Sequence, residues 1–138
     1  MNQKFLLTLV LISFASISVC AADALDEKQF QKLMKEVGKV AKEFKANLDA
    51  KNADAVTKDS TRVGEIYAQM TGFWKSRNLD DAVKWSNESS AAAAATATAA
   101  KAQDWDKTKQ HWNAVMKNCK SCHDARREKL DDGSYRIK

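Results

Sequence analysis

Residues 26–50 read DEKQFQKLMKEVGKVAKEFKANLDA, and the spacing of their apolar side chains decides the fold class. Phe30, Leu33, Met34, Val37, Val40, Ala41, Phe44 and Leu48 recur at intervals of three and four. On a helix that turns every 3.6 residues or so, they form one stripe, with lysines and glutamates on the opposite face. The pattern returns three times. Cap-forming residues at Lys51, Asn52 and Asp54 interrupt the first stripe, after which Val56, Val63, Ile66, Tyr67, Met70, Phe73 and Trp74 draw a second. Following Ser76-Arg77-Asn78, Asp80 and Asp81 open a third helix, where their charge suits the first turn, and it runs through Ala82, Val83 and Trp85 into the alanine-rich residues 91–100. Asp104 caps a fourth, whose inward face reads Trp105, Thr108, Trp112, Val115, Met116, Cys119, Cys122, His123 and Arg126.

The predicted helices span about 26–50, 54–75, 79–102 and 104–130. Helices of this length are roughly 30–40 Å long, and connections of a few residues force consecutive ones to lie antiparallel. The expected fold is all-α: an up-down-up-down four-helix bundle in one domain, residues 23–138. Composition agrees, since 138 residues contain no proline and four glycines, too little turn chemistry for a β-rich chain. The run Ala91–Ala100 reads as a close helix contact, because alanine is the strongest helix former and lets neighbours approach. Asp131-Asp132-Gly133-Ser134 ends the fourth helix, and Tyr135–Lys138 reads as a loose tail.

At the other end, a single lysine at position 4, the nearly unbroken apolar stretch Phe5–Val19 and the small residues around Cys20-Ala21-Ala22 read as a secretory signal peptide over residues 1–22. The stretch is too short and too interrupted by serine for a membrane span, which takes roughly 20 apolar residues. The expected product is periplasmic, with no membrane attachment after cleavage. Cys20 leaves with the leader, so Cys119 and Cys122 remain. The formal charge of +5 is spread along the chain, which gives no support to nucleic-acid binding.

Cys119-Lys120-Ser121-Cys122-His123 is C-x-x-C-H, the attachment motif of covalently bound haem. On a helix these three side chains share one face, so both thiols can form thioethers to the porphyrin edge while the imidazole reaches the iron. Cys119 and Cys122 are therefore the expected anchors of one haem c, and His123 its proximal ligand. Rival uses of the pair fare worse. A zinc site needs four ligands, and His111 lies about 120° round the helix from His123. A thioredoxin-like pair expects a βαβ setting, and a disulfide here closes a tiny loop.

A helical bundle with C-x-x-C-H near the end of its last helix resembles the cytochrome c-prime family, the class II c-type cytochromes, over the whole mature chain. The specific parts are Cys119-Lys120-Ser121-Cys122-His123 with Arg127 four residues on, and Gln31-Lys32-Leu33-Met34-Lys35 with Gly38 in the first helix. Arg126 departs from the pattern, standing where the family usually has Phe or Tyr. The resemblance implies that Met34 faces the iron opposite His123, giving a six-coordinate electron carrier, and that Arg127 lies near the haem edge. A non-ligating residue at that position would imply instead an open iron that binds small gases such as nitric oxide or carbon monoxide. The resemblance also implies pairing of two copies through the first two helices.

A thioether is a soft, neutral ligand that favours ferrous iron, and closed coordination suits electron transfer rather than catalysis. Met70 is the next candidate ligand, while Met116 and His111 share a helix with His123 and are not distal ligands. Lys35, Lys39, Lys42 and Lys45, with Lys120, Arg126, Arg127 and Lys129, read as a solvated face or as a basic ring that would steer an acidic redox partner. The expected function is single-electron transfer between redox partner proteins, not enzymatic turnover.

Overall fold

Each apolar stripe becomes a helix in the computed structural model, which describes residues 25–138. The residues read as a signal peptide, 1–22, lie outside the described residues. Helices α1 (Glu27–Asp49), α2 (Ala53–Ser76), α3 (Asp80–Lys101) and α4 (Trp105–Arg126) pack against one another, followed by strands β1 (Arg127–Lys129) and β2 (Tyr135–Ile137). Among the described residues, no helix is long and apolar enough to cross a membrane.

Three of the four starts have side-chain caps, while α3 begins after Leu79 without one. Asp26 accepts from the Gln29 amide in a capping box, Asn52 from the Ala55 amide, and Asp104 from the Lys107 amide. Three successive connections repeat one geometry. Lys51, Asn78 and Gln103 each adopt a positive φ, of 52°, 56° and 55°. In each, the amide of the left-handed residue and the next amide return to carbonyls of the last turn, as in Lys51 N to Leu48 O and Asn52 N to Asn47 O. The second of those residues is the N-cap of the following helix, so the chain reverses in three residues.

Pair contacts confirm the antiparallel course. Phe30 stacks on Phe73 with ring centroids 4.2 Å apart, while Asn47 donates to Asp59 at 2.7 Å, joining opposite ends of α1 and α2. Thr71 bonds Asn87 across α2 and α3, and Arg126 pairs with Asp81 across α4 and α3. The alanine run packs α3 tightly onto α2. A Cβ added at Gly64 would stand 3.4 Å from the Ala93 Cβ, and Ser90 donates to the Gly64 carbonyl at 3.0 Å.

The fourth helix stops at Arg126, short of the expected 130, and the expected loose tail is the second strand of a hairpin. Arg127 turns extended (φ −115°, ψ 128°), Gly133 supplies the positive φ of 81° at the turn, and Arg127, Glu128 and Lys129 pair with Ile137, Arg136 and Tyr135. Pairing gives these backbone groups the partners that a loose tail would leave to water.

Candidate functional site: a groove between the first and fourth helices

Helices α1 and α4 meet where Phe44 stacks on Trp112, with ring centroids 3.7 Å apart and planes 14° from parallel. Towards the start of α1 and the end of α4 they stand apart, leaving a groove of about 630 Å³. That volume lies within the roughly 300–1,000 Å³ of small-molecule and cofactor sites. One wall is α1, with Met34, Val37, Gly38 and Ala41; the other is α4, with Met116, Cys119, Cys122 and His123. Phe30 and Trp74 also line it, and the hairpin closes one side with Tyr135 and Ile137. Gln31 Nε2 donates to the Tyr135 carbonyl at 3.4 Å, tying hairpin to α1. A Cβ at Gly38 would meet nothing within 4 Å, so the wall of α1 is open there.

Helical spacing brings Cys119, Cys122 and His123 onto the groove together, as expected, and the packing of α1 sets Met34 on the facing wall. Both cysteines are free, half-buried thiols. Burial pushes the Cys119 thiol up, opposed by the Tyr67 hydroxyl 2.8 Å from its Sγ, and burial with the neighbouring Cys119 pushes Cys122 up to about 11. Both are therefore protonated at neutral pH. Burial first, and the Arg127 charge second, hold the His123 imidazole below its ordinary 6.5, leaving it neutral with a lone pair to donate. Beside these groups lies a void of only about 10 Å³, lined in part by Met34, Tyr67, Met70, Cys119 and His123, with space for one water at most.

The three other candidates differ in setting. Met70 is buried at 1% exposure and lines the small void, not the groove. Met116 is 44% exposed on the groove rather than packed, because α1 does not reach across to cover it. His111 lines neither cavity.

Four cationic residues, Lys35, Arg126, Arg127 and Arg136, line the groove, and among the described residues no carboxylate does. Arg126 pairs with Asp81, whose carboxyl it holds below the ordinary 3.8. Arg136 pairs with Glu128 at 2.7 Å, and Arg127 lies over the Tyr135 ring, 4.3 Å from its centroid. Lys35 makes no ion pair among the described residues. Lys39, Lys45 and Lys120 instead pair along their own helices with Glu43, Asp49 and Asp124, so those parts of the expected ring are a solvated face.

Sequence reasoning missed the hairpin side of the groove and the Tyr67–Cys119 contact. Asp132-Gly133 between two short runs is a hairpin signal that would have found the first; nothing local marks the second. Among the described residues, no three His, Cys, Asp or Glu side chains converge to hold a bare metal ion. No protein-family description, curated protein or solved structure matches the chain.

Proposed function

We propose that this protein is a monohaem c-type cytochrome of the periplasm that carries single electrons, with Cys119 and Cys122 as thioether anchors, His123 as proximal ligand and Met34 as sixth ligand. The observation that carries this reading is that Met34 and the whole Cys119-Cys122-His123 set line one groove although they come from the first and last helices. The lining supports it as well: apolar walls with four cations and, among the described residues, no carboxylate suit a flat apolar ring bearing two propionates.

Bound there, haem supplies an iron that takes up and releases one electron. The protein's own residues do the rest. Cys119 and Cys122 present neutral thiols one turn apart, so neither repels the other nor recruits a cation. His123 offers a neutral imidazole, and Met34 a soft thioether from across the groove. Phe30 and Trp74, both buried, give the groove an apolar side, and His123 and Met34 would be the two side chains to hold the iron, which would then keep its ligands through electron transfer. Lys35 and Arg127 at the groove suit an acidic redox partner.

The test is the optical spectrum of protein expressed with a cytochrome maturation system, oxidised and reduced, with and without carbon monoxide. Sharp low-spin bands, a weak far-red sulfur-to-iron band when oxidised and no response to carbon monoxide are expected. Broad high-spin bands with a large carbon monoxide shift would demote Met34 and make the protein a gas binder. Colourless protein would overturn haem altogether.

A further inference from the structure

Resting on the haem reading, we propose that Arg126 is a carboxylate receptor in the groove, taking one propionate of the bound ring. Three observations carry it. Arg126 is one of the groove's lining residues, yet its side chain is only 24% exposed, a setting in which arginine is rare unless paired. It spends a single nitrogen, Nη2, on Asp81, and its Nε is buried without any hydrogen-bond partner. A buried donor left unmade is costly, and arginine carries further N–H groups in a planar fork that matches a carboxylate. Asp81 belongs to α3 and is itself absent from the groove lining, so it anchors the guanidinium from behind without filling the groove.

Asp81 and Arg126 thus have separate tasks. Asp81 positions the guanidinium across the α3–α4 contact, and Arg126, which lines the groove, keeps N–H groups that Asp81 does not use for a carboxylate there. Neighbouring Arg127 does not duplicate this, because its guanidinium lies over the Tyr135 ring. The pair therefore selects a ligand whose apolar plane ends in a carboxylate, and orients it so that this end faces the last turn of α4.

The experiment compares covalently loaded wild type, Arg126→Gln, Arg126→Lys and Asp81→Asn. Haem content, midpoint potential and the propionate bending mode in resonance Raman spectra are the readouts. Haem content is expected to match in all four, since the anchors are untouched. Arg126→Gln loses a positive charge beside the ring and lowers the ferrous-to-ferric ratio at fixed potential about tenfold, or about 59 mV for a one-electron couple. Arg126→Lys keeps the charge but not the fork, so its potential moves less while its propionate mode shifts as far as in Arg126→Gln. Asp81→Asn removes a negative charge and raises the potential. Unshifted propionate modes in both Arg126 variants, with haem bound, overturn this inference and leave the haem reading standing. A wild type without haem overturns both. Should Arg126→Gln fail to fold, Arg126→Lys decides.

Discussion

The α2–α3 contact and the α1–α4 face are built on opposite plans. Between α2 and α3, glycine, alanine and serine bring the two backbones into close contact, with 3.4 Å from a Cβ at Gly64 to Ala93. Between α1 and α4, Phe44 stacks on Trp112, and towards the start of α1 and the end of α4 the face opens into the groove. The difference teaches where a small bundle places its chemistry. Met34, Cys119, Cys122, His123 and four cationic side chains line the side that the helices leave open.

Removing the single aromatic joint should have the largest effect. Trp112→Ala is expected to cost about 3–5 kcal/mol in urea unfolding, the usual range for a buried Trp, and a loss near 1 kcal/mol would mean that α1 and α4 are not pinned there. Enlarging the tight side comes next. Ala93→Leu should cost about 1–3 kcal/mol by overpacking, whereas the matched Ala41→Leu on the groove wall should change stability by under about 0.5 kcal/mol. Equal costs for the two would erase the contrast.

The turns offer a gain. Gln103 holds a left-handed backbone that glycine adopts without strain, so Gln103→Gly should raise stability by about 0.5–1 kcal/mol after the extra chain entropy of glycine is charged. A melting temperature that falls instead would show that its side chain contributes more than its backbone costs.

The smallest effect is the acid response of Asp81. Its carboxyl sits below 3.8 because Arg126 donates to it, so the pair's stabilisation is complete at neutral pH and is lost as pH drops below about 4. The gap in stability between wild type and Asp81→Asn should therefore be widest near pH 7 and shrink in acid. It should also shrink with added salt, because the pair is partly exposed. A gap that widens in acid contradicts the assignment.

Much of this was legible in the sequence, for reasons that differ by residue. The helices follow from stripes such as Phe30 to Leu48, and three of their four starts from side-chain caps, because both signals are local. The co-facing of Cys119, Cys122 and His123 is likewise a matter of helical spacing. The exposure of Met116 was not legible, since periodicity names a face but not whether a neighbour covers it. Three-residue strands carry no period, so the Asp132-Gly133 turn was the one local mark of the hairpin. The Asp81–Arg126 and Tyr67–Cys119 contacts join distant elements and leave no local trace.

The link from Gln31 to Tyr135 spans 104 residues, whereas α2 and α3 are neighbours in the chain. Closing long loops costs entropy before any contact rewards it, so the tight hairpin of helices has the head start in folding and the groove assembles late. By the same reckoning the groove is the first part to come apart in a partial opening. If the groove takes the ring proposed for it, the place where the ring enters is also the seam that opens first, and loading would need no wider rupture of the fold.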